Sequence, residues 1–270
     1  MNPGLKDLVK DYQPEEILNF DSMFESGNLD MVYKAGDLQY NLYMRVDTNV
    51  RAHFQWFFFS CQQNEYFQGK TVRFHIMNFT KRKSLFNSGM RVIVGLKQGK
   101  SQNINYFKGG EDIEYKQSRL MKYKNQWKVK FYYMLSFSYT FTQNSGKVYF
   151  AYNYPYTYSQ LMNFVKEVTI FKVPGLPQGE KRAFISESSL CKSLGGVDVP
   201  LITITSRLHT DPKEYNLIKM EEFDDNDSKV SMPMYKRKKY VIITSRVHPG
   251  ESNSSWMVQG LIKYLCSDAI

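Results

Sequence analysis

From Leu38 to Tyr152 apolar side chains return at every second position, and that rhythm limits the region to strands that bury one face. Leu38, Tyr40, Leu42, Met44 and Val46 alternate with Gln39, Asn41, Tyr43 and Arg45. Phe54, Trp56 and Phe58 follow, then Val72, Phe74 and Ile76, and Met90, Val92 and Val94. Trp127, Val129 and Phe131 continue the pattern, as do Phe137, Tyr139 and Phe141, and Val148, Phe150 and Tyr152. Short runs of this kind, separated by turn residues such as Asn144-Ser145-Gly146, predict an antiparallel β-sandwich. The 20 Tyr and 19 Phe agree, because flat rings pack well on a pleated, half-buried surface.

Past Tyr152 the rhythm changes. Leu161, Met162, Val165 and Val168 recur at helical spacing behind a possible cap at Ser159, and Pro174-Gly175-Leu176-Pro177 ends that helix. Val199–Thr205 reads as a strand, and Tyr240–Val247 as another, with the continuous apolar stretch of a strand buried on both faces. Val258, Leu261, Ile262 and Leu265 mark one face of a later helix, with Asn253 or Ser254 as its cap. Between the two strands an acidic block (Glu221 to Asp227) and a basic block (Lys236 to Lys239) read as solvated connections. The expected architecture is α+β in two domains: a sandwich over 1–154, then the start of an α/β domain with a mixed sheet over 155–270.

The predicted strand Tyr240–Val247 runs into His248-Pro249-Gly250-Glu251 and then a helix. In open α/β sheets the end of a strand, just before the next helix, is where ligands bind. Proline presets φ and glycine tolerates φ above zero, so Pro249-Gly250 makes a tight turn that can aim the His248 imidazole and the Glu251 carboxylate at one ion. Both are zinc donors, at about 2.0–2.2 Å from the metal when bound. A catalytic zinc takes three protein ligands and keeps a position for water. No histidine follows Glu251, so the chain offers two. Taken bare, the spacing also arises by accident, and Pro-Gly is a good turn whatever its neighbours do.

The composition bounds the functional classes. No uninterrupted apolar run approaches the ~20 residues needed to cross a bilayer. Met1–Lys10 lacks the apolar core of a secretory signal. Cys61, Cys191 and Cys266 are odd in number and far apart, which argues against a disulfide framework or a thiolate zinc site and for a reducing compartment. The net charge of +10 sits mostly in residues 1–154, with 21 Lys+Arg against 13 Asp+Glu. A basic surface attracts acidic partners: an acidic polypeptide tail, nucleic acid or anionic lipid.

The segment Ser245-Arg246-Val247-His248-Pro249-Gly250-Glu251-Ser252-Asn253-Ser254-Ser255-Trp256 resembles the first zinc-binding segment of the cytosolic carboxypeptidases. Phe24-Glu25-Ser26-Gly27-Asn28-Leu29 and His53-Phe54-Gln55-Trp56-Phe57-Phe58-Phe59 resemble parts of that family's amino-terminal domain. Phe150 to Tyr158 resembles the junction into its catalytic domain, and Leu194-Gly195-Gly196 with Pro200 to Thr205 its early strand. The resemblance implies a β-sandwich followed by an α/β zinc carboxypeptidase domain that removes glutamates from the termini or branches of acidic proteins, tubulin above all. It implies one zinc, with His248 and Glu251 as its first two ligands, a third ligand and general base absent from this chain, and hence an incomplete, inactive portion. It also implies a cytoplasmic protein associated with microtubules or cilia.

Two other functions stay open at this level: a non-catalytic module for acidic polypeptide tails, and a single-stranded nucleic-acid binder that stacks bases on exposed rings. Inward-facing aromatics weigh against the second, and nothing in the sequence fixes an oligomeric state. Among the remaining candidates, His53, His75 and His209 read as structural. Trp256 reads as a helix anchor, and Arg246 as a partner for Glu251 or for solvent.

Overall fold

The structure is a computed structural model that describes residues 12–47, 55–97, 103–124, 129–142, 146–170, 183–206 and 239–266. It divides into two compact units, one holding residues 1–157 with 248–253, the other 158–247 with 254–270.

In the first unit the chain forms β1 (Asn19–Asp21), β2 (Leu29–Gly36), β3 (Gln39–Met44), β4 (Phe58–Gln63) and β5 (Thr71–Phe79). β6 (Val92–Lys97), β7 (Ile104–Gly109), β8 (Glu111–Lys124), β9 (Val129–Thr140) and β10 (Gly146–Ala151) follow. They make two five-stranded sheets, ordered β1-β4-β10-β6-β7 and β2-β3-β5-β9-β8. The sandwich is as expected, with one departure: β3 pairs with β5 in parallel, from Gln39↔Arg73 to Leu42↔Ile76.

The inner faces of both sheets meet in one core. Phe59 and Phe150 from the first sheet and Leu42, Phe74 and Phe137 from the second are all fully buried there. Phe74 lies among Phe150 at 5.2 Å, Phe137 at 5.3 Å and Phe59 at 6.3 Å between ring centroids, tilted or edge-on as aromatic quadrupoles prefer. Gly95 belongs to this architecture, because a Cβ there would stand 2.6 Å from the Tyr106 ring.

One strand is out of phase with the sequence reading. The alternation singled out Trp56 and Phe58 as inward, yet Phe57, Phe59 and Cys61 enter the main core. Phe58 packs in a second cluster with Ile93 and Ala151, joined by Phe24, Trp56 and Tyr149. Four consecutive aromatic residues at 56–59 carry no alternation to read, so tertiary contacts set the phase. Those contacts come from Asn28. Its Nδ2 donates to Trp56 O at 3.0 Å, its Oδ1 accepts from Phe58 N at 2.9 Å, and its own N donates to Phe58 O at 3.0 Å. Its carbonyl accepts from Arg45 N at 2.7 Å, at the end of β3, so one residue clasps both sheets. The preceding turn holds Ser26 at φ 68, where its carbonyl accepts from Trp56 Nε1 at 2.9 Å. Gly27 is required there, since a Cβ would lie 2.3 Å from Ser22 O.

In the second unit, α1 (Tyr158–Ile170) buries Phe164, Val165 and Val168, close to the expected face. β11 (Ala183–Lys192) and β12 (Asp198–Ser206) pair as an antiparallel hairpin. Its turn is closed by Ser193 N donating to Val197 O at 2.8 Å, with Gly196 at φ 79. α2 (Ser252–Leu265) begins one or two residues earlier than its expected caps. The stretch Tyr240–Val247 departs from expectation outright: it forms no strand and has no sheet partner among the described residues. Val241 is 85% and Ile242 88% exposed. Apolar composition makes a good strand only when neighbours supply the ladder, and the described residues supply none.

Candidate metal centre

His248 and Glu251 are brought together by a single turn. Glu251 N donates to His248 O at 3.0 Å, closing a four-residue β-turn over Pro249-Gly250. The backbone residue with positive φ is not Gly250 but Arg246, at φ 56, two residues before the histidine. A non-glycine residue in that region costs about 1–3 kcal/mol unless its surroundings hold it. Here Arg246 N donates to Ser254 Oγ at 3.0 Å and its guanidinium Nη1 to Ser255 Oγ at 3.4 Å. The chain entering the turn is thus tied to the first turn of α2.

Both candidate ligands have exposed side chains, so an ion and water can reach them. Glu251 directly precedes Ser252, the first residue of α2, and a carboxylate is favoured at the positive end of a helix dipole. Ser252 is fully buried, and its Oγ and that of Ser245 are buried atoms without a hydrogen-bond partner among the described residues. An orphaned hydroxyl costs about 1–3 kcal/mol, so these two mark a turn whose polar requirements are not met by the protein groups present. Neither serine stood out in the sequence, where hydroxyls next to a helix start read only as caps.

The donor set fits zinc in kind, one nitrogen and one oxygen, and falls short in number. No cluster of three His, Cys, Asp or Glu exists among the described residues. His53 and His209 lie outside those residues. His75 is half-buried, with Nδ1 2.7 Å from Ser136 Oγ; burial, then the charges of Arg73 and Lys116, hold it below the ordinary histidine pKa. Its structural reading stands. Trp256 is 40% exposed, so its side chain is partly covered on α2. The three cysteines are free: Cys61 buried, Cys191 exposed and Cys266 between. Burial pushes the Cys61 thiol far above its usual range, so it is a packed, unreactive group.

Residues 20–153 match the family model described as the cytosolic carboxypeptidase N-terminal domain. The chain resembles the amino-terminal portion of the cytosolic carboxypeptidases. It is 32% identical over 261 residues to cytosolic carboxypeptidase 1 of Xenopus laevis, covering 93% of this chain and 19% of that protein. It is 33% identical over 257 residues to cytosolic carboxypeptidase 3 of Mus musculus, covering 94% and 22%. The chain therefore spans about a fifth of the curated relatives it matches. Among solved structures, a metallo-carboxypeptidase from Burkholderia cenocepacia superposes with a TM-score of 0.55 at 20% identity, over 93% of this chain and 49% of that one. That likeness establishes the fold, mostly β with antiparallel and mixed sheets as in the metallo-carboxypeptidase. No helix among the described residues is long and apolar enough to cross a membrane.

Proposed function

We propose that this chain supplies the sandwich and the first two metal ligands, His248 and Glu251, of a zinc carboxypeptidase that trims glutamates from acidic protein tails, tubulin being the model substrate. The observation that carries this is the turn itself, which holds an exposed imidazole and an exposed carboxylate three residues apart at the start of α2. His248 would give a ring nitrogen and Glu251 a carboxylate oxygen to one zinc ion. When bound, zinc lowers the pKa of its water to about 7 and makes it a nucleophile towards the terminal peptide carbonyl. The turn fixes the spacing of the two donors, the arginine before it is held by Ser254 and Ser255, and the basic sandwich raises the local concentration of acidic tails. The working place of such a protein is the cytoplasm, at microtubules or cilia.

With two donors, the chain by itself binds zinc weakly and does not hydrolyse peptides. Metal analysis after dialysis should give well under one equivalent of zinc, and His248→Ala should remove what remains. Chelator-sensitive glutamate release from a polyglutamate-tailed peptide would overturn the inactivity, and zinc retention unchanged by His248→Ala would overturn the ligand assignment. A second reading rests on the charge of residues 1–154: a non-catalytic module for acidic tails, which predicts salt-dependent binding to a glutamate-rich peptide that His248→Ala leaves intact. Single-stranded nucleic acid is disfavoured, because Phe59, Phe74, Phe137 and Phe150 are sealed in the core and give bases no platform.

A further inference from the structure

Between β5 and a short 3-10 helix at Leu85–Ser88 the sandwich carries Lys81-Arg82-Lys83-Ser84, three cations in a row followed by a hydroxyl. All three cations are exposed, and none makes an ion pair among the described residues. Arg45, Lys116 and Lys147 differ in this, for they face Asp30, Glu114 and Asp21. No other serine or threonine among the described residues follows more than one lysine or arginine within three positions. A charge run by itself is ordinarily a solvated surface, so the serine that ends this one carries the weight.

The backbone presents that serine. Both ends of the segment are fixed: Phe79 and Phe86 are buried in the core, and Tyr115 Oη donates to Lys81 O at 2.5 Å. Between those anchors residues 80–84 cross the surface without helix or strand, and Ser84 is extended at φ -143 and ψ 144. Its Oγ is partly exposed and accepts one long bond, from Phe86 N at 3.3 Å. Leu85, the next residue, is 65% exposed. A serine in an extended surface segment, with cations before it and an apolar side chain after it, is what a protein kinase with an acidic substrate cleft selects, since charge pattern sets kinase–substrate pairing. An acidic polypeptide alone would engage the cations and leave the hydroxyl and the leucine without a role.

We propose that Ser84 is the phosphate acceptor of such a kinase, with Lys81, Arg82 and Lys83 as its recognition charges and Leu85 as its apolar contact. Ser84 Oγ attacks the γ-phosphorus of Mg-ATP. The new O–P bond forms as the bond from that phosphorus to the β,γ-bridging oxygen breaks, ADP leaves with the electron pair, and the hydroxyl proton passes to the catalytic aspartate of the kinase. The product sets about -1.5 to -2 charges beside three positive ones and so cancels half or more of the charge on the segment. Its oxygens take over from Oγ as acceptors for Phe86 N and pair with the neighbouring cations. The attraction of this part of the sandwich for acidic partners falls with the charge. None of this depends on His248 or Glu251.

The test incubates the folded 270-residue chain with Mg-ATP and the catalytic subunit of cyclic-AMP-dependent protein kinase, and in parallel with protein kinase C. At least one kinase should add close to one phosphate per chain, mapped to Ser84 by peptide mass spectrometry and lost in Ser84→Ala. Lys81→Ala combined with Arg82→Ala, both exposed, should keep the circular dichroism of the parent chain and lower kcat/KM for the phosphorylation about tenfold or more. Labelling of Ser84 that the double substitution leaves unchanged overturns the proposal. So does phosphate found mainly at other residues, labelling that appears only after heat denaturation, or no incorporation by either kinase.

Discussion

The sandwich and the second unit are built from the same kinds of residue and end in opposite states. Phe74 in β5 is fully buried among rings from both sheets; Ile242, equally apolar, is 88% exposed. The difference is not hydrophobicity but closure. In the sandwich the inner faces of the two sheets meet in one core among the described residues, and the strand order brings residues 19 and 151 into one sheet. In the second unit α1 buries Phe164, Val165 and Val168, whereas Tyr240–Ile243 stays exposed and has no sheet partner among the described residues. A hydrophobic stretch thus reports a demand for burial, and only topology says where it is met.

The sharpest way to break this contrast is to truncate one residue in each region. Phe74→Ala should cost about 3–5 kcal/mol in denaturant unfolding of the sandwich, as a buried ring leaves a cavity. Ile242→Ala should shift the same transition by no more than ~0.5 kcal/mol, because the side chain has little to lose. Equal effects at the two sites would end the comparison.

Asn28 probes how the sandwich is closed. Asn28→Ala removes side-chain partners of Trp56 O and Phe58 N and should destabilise by about 1–3 kcal/mol, with altered near-ultraviolet signals from Trp56 as the local readout. An unchanged midpoint would show that the β4 phase is set by packing alone.

His75 gives a pH-dependent prediction. Its folded pKa lies below its unfolded value, so the neutral ring is favoured in the native state. That contribution is fully present above the unfolded pKa of about 6.5 and is lost as pH falls through it towards the lower folded value. His75→Gln should flatten the stability profile in that window, and a slope that survives the substitution belongs to another group.

The smallest effect is expected at Asp21. Its carboxylate is held below the usual range first by the hydrogen bond from Lys147 Nζ at 2.7 Å and then by Met23 N. Both side chains are about a third exposed, so Asp21→Asn should cost no more than ~1 kcal/mol at neutral pH. Added salt should reduce the difference further; an effect that grows with salt would rule out the ion pair as its cause.

Much of this was legible beforehand, and the failures are specific. Strands β3 and β5 follow the alternation because each buries one face and leaves the other more open, while β6 and β10 follow it in the main core and turn Ile93 and Ala151 into a second cluster. β7 and β8 escaped notice because charges such as Lys108, Glu111, Glu114 and Lys116 dilute the pattern at an edge. The parallel β3–β5 pairing could not be read from either strand, since alternation carries no direction. At the candidate site the sequence singled out His248 and Glu251, but not the left-handed backbone of Arg246 or the buried Ser252, whose Oγ has no hydrogen-bond partner among the described residues.

Composition and spacing alone determined that residues 38–152 would hold short strands separated by turns, that a helix would follow Glu251, and that an imidazole and a carboxylate would share one Pro-Gly turn. These are local properties, set by side-chain period and by the φ limits of a few residues. Tertiary structure alone decided which of Phe57 and Phe58 faces the core, which strands are neighbours, and that Tyr240–Val247 forms no strand with a sheet partner among the described residues. The reason is that burial and ladder hydrogen bonds belong to pairs of segments, and no single segment encodes its partner.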